Sequence, residues 1–163
     1  MRPVIRLVSA ADEAAFIAAA RASRKLHRPW VQPPCDGEAF ARYLNRFDGV
    51  AHHSFIVEAD GELAGAINLT NIVMGAFRSG YLGYYAFAGF EGRGLMTQGL
   101  NAVVRHAFKT LGLHRVEANI QPGNAASIAL AKRCGFRLEG YSPKYLKIAG
   151  RWCDHERLAK VKG

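Results

Sequence analysis

A mixed α/β layer is the fold class the sequence predicts, and three observations predict it. Residues 81–111 read in succession as a strand, a glycine-bearing loop and a long amphipathic helix. Asp60-Gly61 separates two strand-like runs, 54–59 and 62–69, which is a two-residue hairpin signal. Helical and strand periods alternate along the rest of the chain, in the order strand, two helices, hairpin, strand, helix, strand, helix, strands. The 163 residues are enough for one domain with a full core, expected to span 1–163 with no repeat, low-complexity tract or linker.

Val4 to Val8 alternates as a short first strand. Ser9-Ala10-Ala11-Asp12 has the form of a capping box, and the Ala-rich segment from about 12 to 26 has strong helix propensity. The prolines at 29, 33 and 34 break that helix. Asp36 caps a second helix with Phe40, Tyr43, Leu44 and Phe47 on one face. After the hairpin, a loop from Asn71 to Ser79 leads to the strand Tyr81 to Phe87. Met96, Leu100, Val103, Val104, Ala107, Phe108 and Leu111 then recur at spacings of three and four, and Gly112 stops the helix. In His114 to Gln121, Val116, Ala118 and Ile120 share one face while Arg115, Glu117 and Asn119 share the other. Pro122-Gly123 breaks that strand, Asn124 caps a short helix from Ala125 to Cys134, and Gly135 ends it. Phe136 to Glu139 and Trp152 to Ala159 read as closing strands, with Tyr145 to Ile148 pairing across Ala149-Gly150.

Half of the residues are apolar, yet no run is long enough to span a membrane, and the first residues lack the apolar core of a signal peptide. Cys35, Cys134 and Cys153 are odd in number and scattered, which suggests neither a disulfide framework nor a metal site. Reducing cytosol is the expected compartment. The net charge of +9 favours polyanionic partners: a phosphorylated cofactor, RNA, or both. The densest basic group, Arg21, Arg24, Lys25 and Arg28, reads better as a solvated helix face than as a nucleic-acid stripe.

The segment Glu91-Gly92-Arg93-Gly94 ahead of the long helix is a candidate anion site. Unpaired N–H groups and the dipole at a helix start favour a phosphate, glycines allow close approach, and Arg93 adds a fork of donors. Taken alone, the same residues fit an ordinary strand–helix turn. They form neither a dinucleotide fingerprint nor a P-loop.

Several motifs in one order carry a more specific signal. Gly92-Arg93-Gly94-Leu95-Met96-Thr97 is followed by Leu113-His114-Arg115-Val116-Glu117-Ala118-Asn119, then by Asn124-Ala125-Ala126-Ser127, Gly135-Phe136-Arg137-Leu138-Glu139-Gly140 and Gly150-Arg151-Trp152-Cys153-Asp154-His155. On these residues nearly the whole chain resembles the GNAT superfamily of acyl-CoA N-acyltransferases, in particular its RimJ/RimL type of ribosomal-protein N-terminal alanine acetyltransferases. The resemblance implies a GNAT fold, with a central, mostly antiparallel twisted sheet splayed between its fourth and fifth strands and helices on both faces. It implies acetyl-CoA as co-substrate, with no metal. Glu91, Met96 and Gln98-Gly99 depart from the family's usual Gln or Arg, small residue and Glu-Ala at those places. Glu91 is expected to point to solvent, and Gly99 costs helix stability, about 1 kcal/mol against Ala.

The reaction the resemblance implies is direct attack of an amine on the thioester, through a tetrahedral oxyanion, with loss of the CoA thiolate. Backbone N–H groups of Gly92 to Thr97, helped by Arg93, are expected to hold the diphosphate, with Asn124 nearby. Backbone at Ala86 and Phe87 is expected to align the thioester and hold the oxyanion. The family's usual tyrosine acid, seven residues after Asn124, is replaced by Ala131. Ser127, four residues earlier on the same helical face and in the first turn, stands where the resemblance to the RimL type implies a serine and is the expected thiolate stabiliser; the alternative is a serine that only satisfies first-turn backbone groups. The family's usual glutamate base is replaced by Asn119, a candidate substrate contact. Glu117 is a candidate base acting through water, or else a salt-bridged carboxylate. His53, His114 and Asp154-His155 are weaker candidates. Trp30 either faces the acceptor or packs its loop onto the core.

An N-terminal amine has a pKa near 8 and needs no strong base. The missing glutamate therefore favours an α-amine over a lysine, and the resemblance implies that this amine is a protein N-terminus beginning with Ala or Ser, such as that of a ribosomal protein, with contact to ribosomal RNA as a further expectation. A small-molecule amine, or a non-catalytic CoA- or RNA-binding module on the same fold, are the alternatives. No membrane partner is expected, and a monomer and a homodimer are both compatible with the sequence.

Overall fold

The computed structural model describes residues 2–163. Seven strands form one sheet in the order β1-β2-β3-β4-β5-β7-β6. They are β1 Val4–Leu7, β2 His53–Ala59, β3 Glu62–Val73, β4 Ser79–Ala86, β5 Arg115–Ile120, β6 Arg137–Ile148 and β7 Arg151–Val161. The helices are α1 Glu13–Ala22, α2 Arg24–His27, α3 Gly37–Arg46, α4 Leu95–Lys109 and α5 Ala125–Arg133. Every neighbouring strand pair is antiparallel except β4 with β5. Those two pair only from Ser79 opposite Arg115 to Leu82 opposite Ala118. β4 continues to Ala86 and β5 to Ile120, so the strands part beyond that point and leave a wedge-shaped cleft, the splay expected between strands four and five.

The central strands are buried on both faces, whereas the outer strand β6 is largely exposed. Phe16 of α1 and Phe40 of α3 pack with Ile56, Ala66 and Phe87 on one side. Leu100, Val103 and Ala107 of α4 pack with Val57, Ile67 and Leu69 on the other. Neighbours Ile56 and Val57 thus serve opposite layers, the period of two that a central strand requires. Local signals set the element ends. Asp36 accepts the Ala39 N–H at 2.8 Å and starts α3. Asp60 and Gly61 both take positive φ, 52° and 80°, as the tight hairpin requires.

Three elements differ from expectation. The helix expected over 12–26 breaks at Ser23, whose hydroxyl donates to the Ala19 carbonyl at 2.7 Å and accepts the Ala88 N–H at 2.8 Å. That tertiary bond fixes the bend, and α2 then delivers His27 to the end of β4. The strand expected to stop at Leu69 runs to Val73 past an irregularity after Thr70, with Asn71 at φ 53°. The two closing segments 136–139 and 145–148 are one strand, β6. It carries Pro143 at the outer edge of the sheet, where a missing N–H is tolerated.

Gly99 acquires a structural reason. A Cβ there would lie 2.8 Å from Val57 Cγ2 and 3.2 Å from Ile67 Cδ1, so glycine lets α4 sit close on β2 and β3. Gly99→Ala is expected to destabilise by about 1–3 kcal/mol through overpacking, even though alanine favours a helix by about 1 kcal/mol. A chemical-denaturation midpoint that rises instead would show that the layers can separate without cost.

Candidate active site

The loop before α4 is shaped as an anion cradle. Gly92 and Gly94 take φ of 78° and 72°, backbone that side-chain-bearing residues rarely adopt. Gly94 caps α4 without any side-chain bond, and the helix's own ladder begins with the Gln98 N–H donating to the Gly94 carbonyl at 3.1 Å. The N–H groups of Leu95, Met96 and Thr97 therefore have no partner within the helix. Arg93 is exposed, with its guanidinium 5.4 Å from the centre of the Phe90 ring. Glu91 is exposed, as its charge required, and lies at the edge of the cavity beside this loop. These residues fit a diphosphate: donors and a positive helix end meet it, and no side chain fills the approach.

The end of β4 supplies a second donor. The Phe87 N–H bonds to the Ala64 carbonyl at 2.8 Å. Antiparallel pairing alternates, so Ala86, set opposite Gly65, directs its N–H and C=O away from β3 and toward the splay. The expectation for this strand end is therefore corrected in part: the Ala86 N–H faces the cleft, whereas that of Phe87 is used inside the sheet and its ring is buried. The Ala86 carbonyl accepts from His27 Nε2 at 2.7 Å, which fixes the tautomer and leaves Nδ1 as a buried lone pair without a partner. Sequence reasoning missed His27, whose only local signal is its place where a helix meets a proline.

Burial lowers the pKa of His27, against the smaller opposing effect of its bond to Ala86. The folded value lies below the ordinary 6.5, so its stabilising contribution is complete above about pH 6.5 and is lost as pH falls through the folded value. His27→Gln keeps an N–H donor and removes the titration. The variant's melting temperature is expected to fall less than that of the wild type between pH 7 and pH 5. Equal slopes for the two proteins would remove His27 from the acid response.

Ser127 sits in the first turn of α5, where Asn124 accepts its N–H at 3.4 Å and Tyr84 donates its phenol to its carbonyl at 2.7 Å. Its own hydroxyl makes no bond with any described residue. Tyr84, also missed in the sequence, is pushed up to about 12, chiefly by burial, and stays a neutral donor. Ala131 is wholly buried in the core, so that position offers nothing to the cleft. One cavity of about 170 Å³ lies on the cofactor side, bounded by His27, Ala86, Met96 and Ser127. At about 30 Å³ per water it takes a small group such as a thioester end. A second, of about 130 Å³, lies across the splay and is bounded by Leu82, Asn119, Gln121, Leu146 and His155. Trp30, Val31, Tyr84, Asn124 and Ser127 line both.

Trp30 walls the cleft and also packs on the Pro122-Gly123 turn, so closely that a Cβ on Gly123 would lie 3.0 Å from its Cη2. Asn119 stands just past the last paired residues, with Oδ1 buried and unpartnered. Glu117 lies opposite Tyr81, where β4 and β5 are still paired, and accepts from Arg115 Nε and Nη2 at 2.9 and 2.8 Å. It lines neither cavity, which is the salt-bridged alternative. His53 bonds the Val50 carbonyl and stacks on Phe55, and His114 is exposed. Asp154 accepts from Tyr141 and from the Lys144 N–H.

A parallel pair of strands that splays beside a helix start with free N–H groups, with a backbone donor at the split, fits an acyl-CoA N-acyltransferase. Residues 2–137 match the acetyltransferase (GNAT) domain, and the chain belongs to that family of acetyl-CoA-dependent N-acetyltransferases. It is 37% identical over 108 residues to the probable N-acetyltransferase YjcK of Bacillus subtilis, a match covering 66% of this chain and 60% of that protein. It is 34% identical over 164 residues to the [ribosomal protein uS5]-alanine N-acetyltransferase of Escherichia coli, covering 94% of this chain and 84% of that one. The solved structure of Mycobacterium smegmatis RimJ in complex with CoA-disulfide aligns with a TM-score of 0.87 at 28% identity, covering 96% of this chain and 80% of that one. No helix among the described residues is long and apolar enough to cross a membrane.

Proposed function

We propose that the chain, acting as one catalytic unit over 1–163, acetylates the N-terminal α-amine of a protein beginning with Ala or Ser, a ribosomal protein in the cytosol being the favoured acceptor. The observation that carries this reading is the absence of carboxylates from the acceptor-side cavity: its lining offers Asn119, Gln121, Ser127 and His155 but no Asp or Glu. A polyamine or a lysine side chain stays charged near neutral pH, with a pKa around 10.4 for lysine, and needs acidic partners. An α-amine near 7.7–8.0 is already partly neutral. The similarity to the uS5-alanine enzyme over 94% of this chain supports the same acceptor class.

The test is free-thiol release from acetyl-CoA with Ala- and Ser-starting peptides, lysine peptides with blocked N-termini, and polyamines. Faster turnover on the first group is the expected result. Faster turnover on lysine peptides or polyamines would sink the α-amine reading. Binding of acetyl-CoA with no turnover on any acceptor, intact ribosomal particles included, would favour a binding module. If the basic surface docks on RNA, kcat/KM on ribosomal particles is expected to fall steeply with salt while that on a short peptide changes little.

A further inference from the structure

We infer that His155 is the proton acceptor for the attacking amine and that Asn119 Oδ1 holds that amine in place. This rests on the N-acetyltransfer reading above and adds the residues on the acceptor side. His155 is 2% exposed, yet it borders the acceptor-side cavity. Its Nδ1–H donates to the Cys153 carbonyl at 2.8 Å, which makes Nε2 the nitrogen with the lone pair. Nε2 has no hydrogen-bond partner among the described residues. A histidine whose tautomer is set by a backbone carbonyl, with its basic nitrogen left for a cleft, is placed to take a proton.

The register brings Asn119 to the same place. Arg157 of β7 lies opposite Asn119 of β5, so His155, two residues along β7, shares the face of the sheet on which Asn119 stands. Asn119 Oδ1 is buried with no donor to it. A buried acceptor without a partner calls for an explanation, and an ammonium or amine N–H supplies one. The two cavities meet at Ser127, Tyr84 and Trp30. A thioester entering from the α4 side and an amine entering past Asn119 would therefore converge there.

The step balances as follows. The amine nitrogen forms the C–N bond to the thioester carbon and the carbonyl electrons move to oxygen, opposite the Ala86 N–H. One proton on the nitrogen passes to His155 Nε2. Collapse of the oxyanion breaks the C–S bond, and the thiolate leaves toward the Ser127 hydroxyl and is protonated from solvent, while His155 returns its proton to solvent. The charged and titratable groups around His155 are Asp154 and Glu156 beside it on β7, Arg157 on its own face, Tyr145 of β6 with ring centres 6.2 Å apart, and Tyr84 across the cleft. Asp154 carries a lowered pKa, chiefly because the Tyr141 phenol and the Lys144 N–H donate to it, with His155 the smallest contributor.

The experiment compares kcat/KM of wild type and His155→Gln from pH 6 to pH 10, on whichever amine the wild type acetylates best, so that a wrong acceptor class shows in the wild type and not in the variant. The expected loss is about hundredfold at pH 7, within the usual range for general-base catalysis. It should shrink toward pH 10 as hydroxide takes the proton from the attacking nitrogen in place of His155, while the affinity for acetyl-CoA stays constant. Asn119→Ala is expected to raise KM for the amine more than it lowers kcat. A His155→Gln loss that is the same at every pH, or that comes with weaker acetyl-CoA binding, would assign His155 to structure alone. Activity within threefold of wild type at pH 7 would overturn the inference outright.

Discussion

Ser127→Ala is expected to lower kcat on Ala- or Ser-starting peptides at least tenfold, about 1.4 kcal/mol of transition-state stabilisation, with acetyl-CoA affinity and melting temperature unchanged. The reason lies in how little else the hydroxyl does. The Ser127 backbone is held at both ends, by Asn124 and by Tyr84, but Oγ bonds to no described residue. Removing it therefore breaks no contact of the folded protein, unlike a serine that caps a turn. On the proposed N-acetyltransfer reading it does remove a donor beside the developing thiolate, in a first turn whose dipole favours the same charge. Because the interaction grows as the C–S bond breaks, its loss should appear in kcat and not in ground-state binding. Unchanged kcat would mean that the helix end and solvent suffice for the leaving group. A lower melting temperature with the same fall in kcat would point to the turn-stabilising alternative.

What could be seen in the sequence and what could not divides along local and non-local causes. Asp36, Asp60-Gly61, Asn124 and Gly112 act within a few residues, and the elements they start or stop stand where expected. Gly92 and Gly94 announce themselves through the positive φ that the loop needs. Ala86 could be anticipated only as a region, because which N–H faces the split depends on strand pairing and not on the side chain. His27 and His155 reach the cleft from opposite ends of the chain, on a bent helix and on a late strand, and no spacing in the sequence joins them. Ser23 has the same character: the bend it makes is set by a bond to Ala88, sixty-five residues away. Glu117 shows the converse error. Its strand face was right, but one pleat places it within the paired part of the strands beside Arg115, and only Asn119, two residues on, passes the split.

Gly65→Ala is expected to lower kcat/KM for acetyl-CoA by tenfold or more, although residue 65 touches no part of the anion loop in sequence. A Cβ on Gly65 would overlap Met96 Sδ and lie 2.8 Å from the Tyr85 carbonyl oxygen. Met96 is the second residue of α4, its N–H is one of the free donors, and its side chain walls the cofactor-side cavity. The thioether is flexible and can swing away, at the cost of space where the thioester end must lie. The carbonyl belongs to β4 and cannot move without Ala86, whose N–H is the donor at the split. Either response displaces a group by a few tenths of an ångström or more, and misplacement on the scale of 1 Å is worth about a hundredfold. A double-mutant cycle separates the two. If Met96 is what gives way, Met96→Ala should restore part of the activity of Gly65→Ala, with a coupling of about 0.5–3 kcal/mol. If the two substitutions simply add, the strain has gone into β4 instead. Weakened CoA binding would then give way to slower chemistry, read as a fall in kcat at saturating acetyl-CoA. Wild-type kinetics in Gly65→Ala would show that the helix start and the strand end hold the cofactor without this close approach.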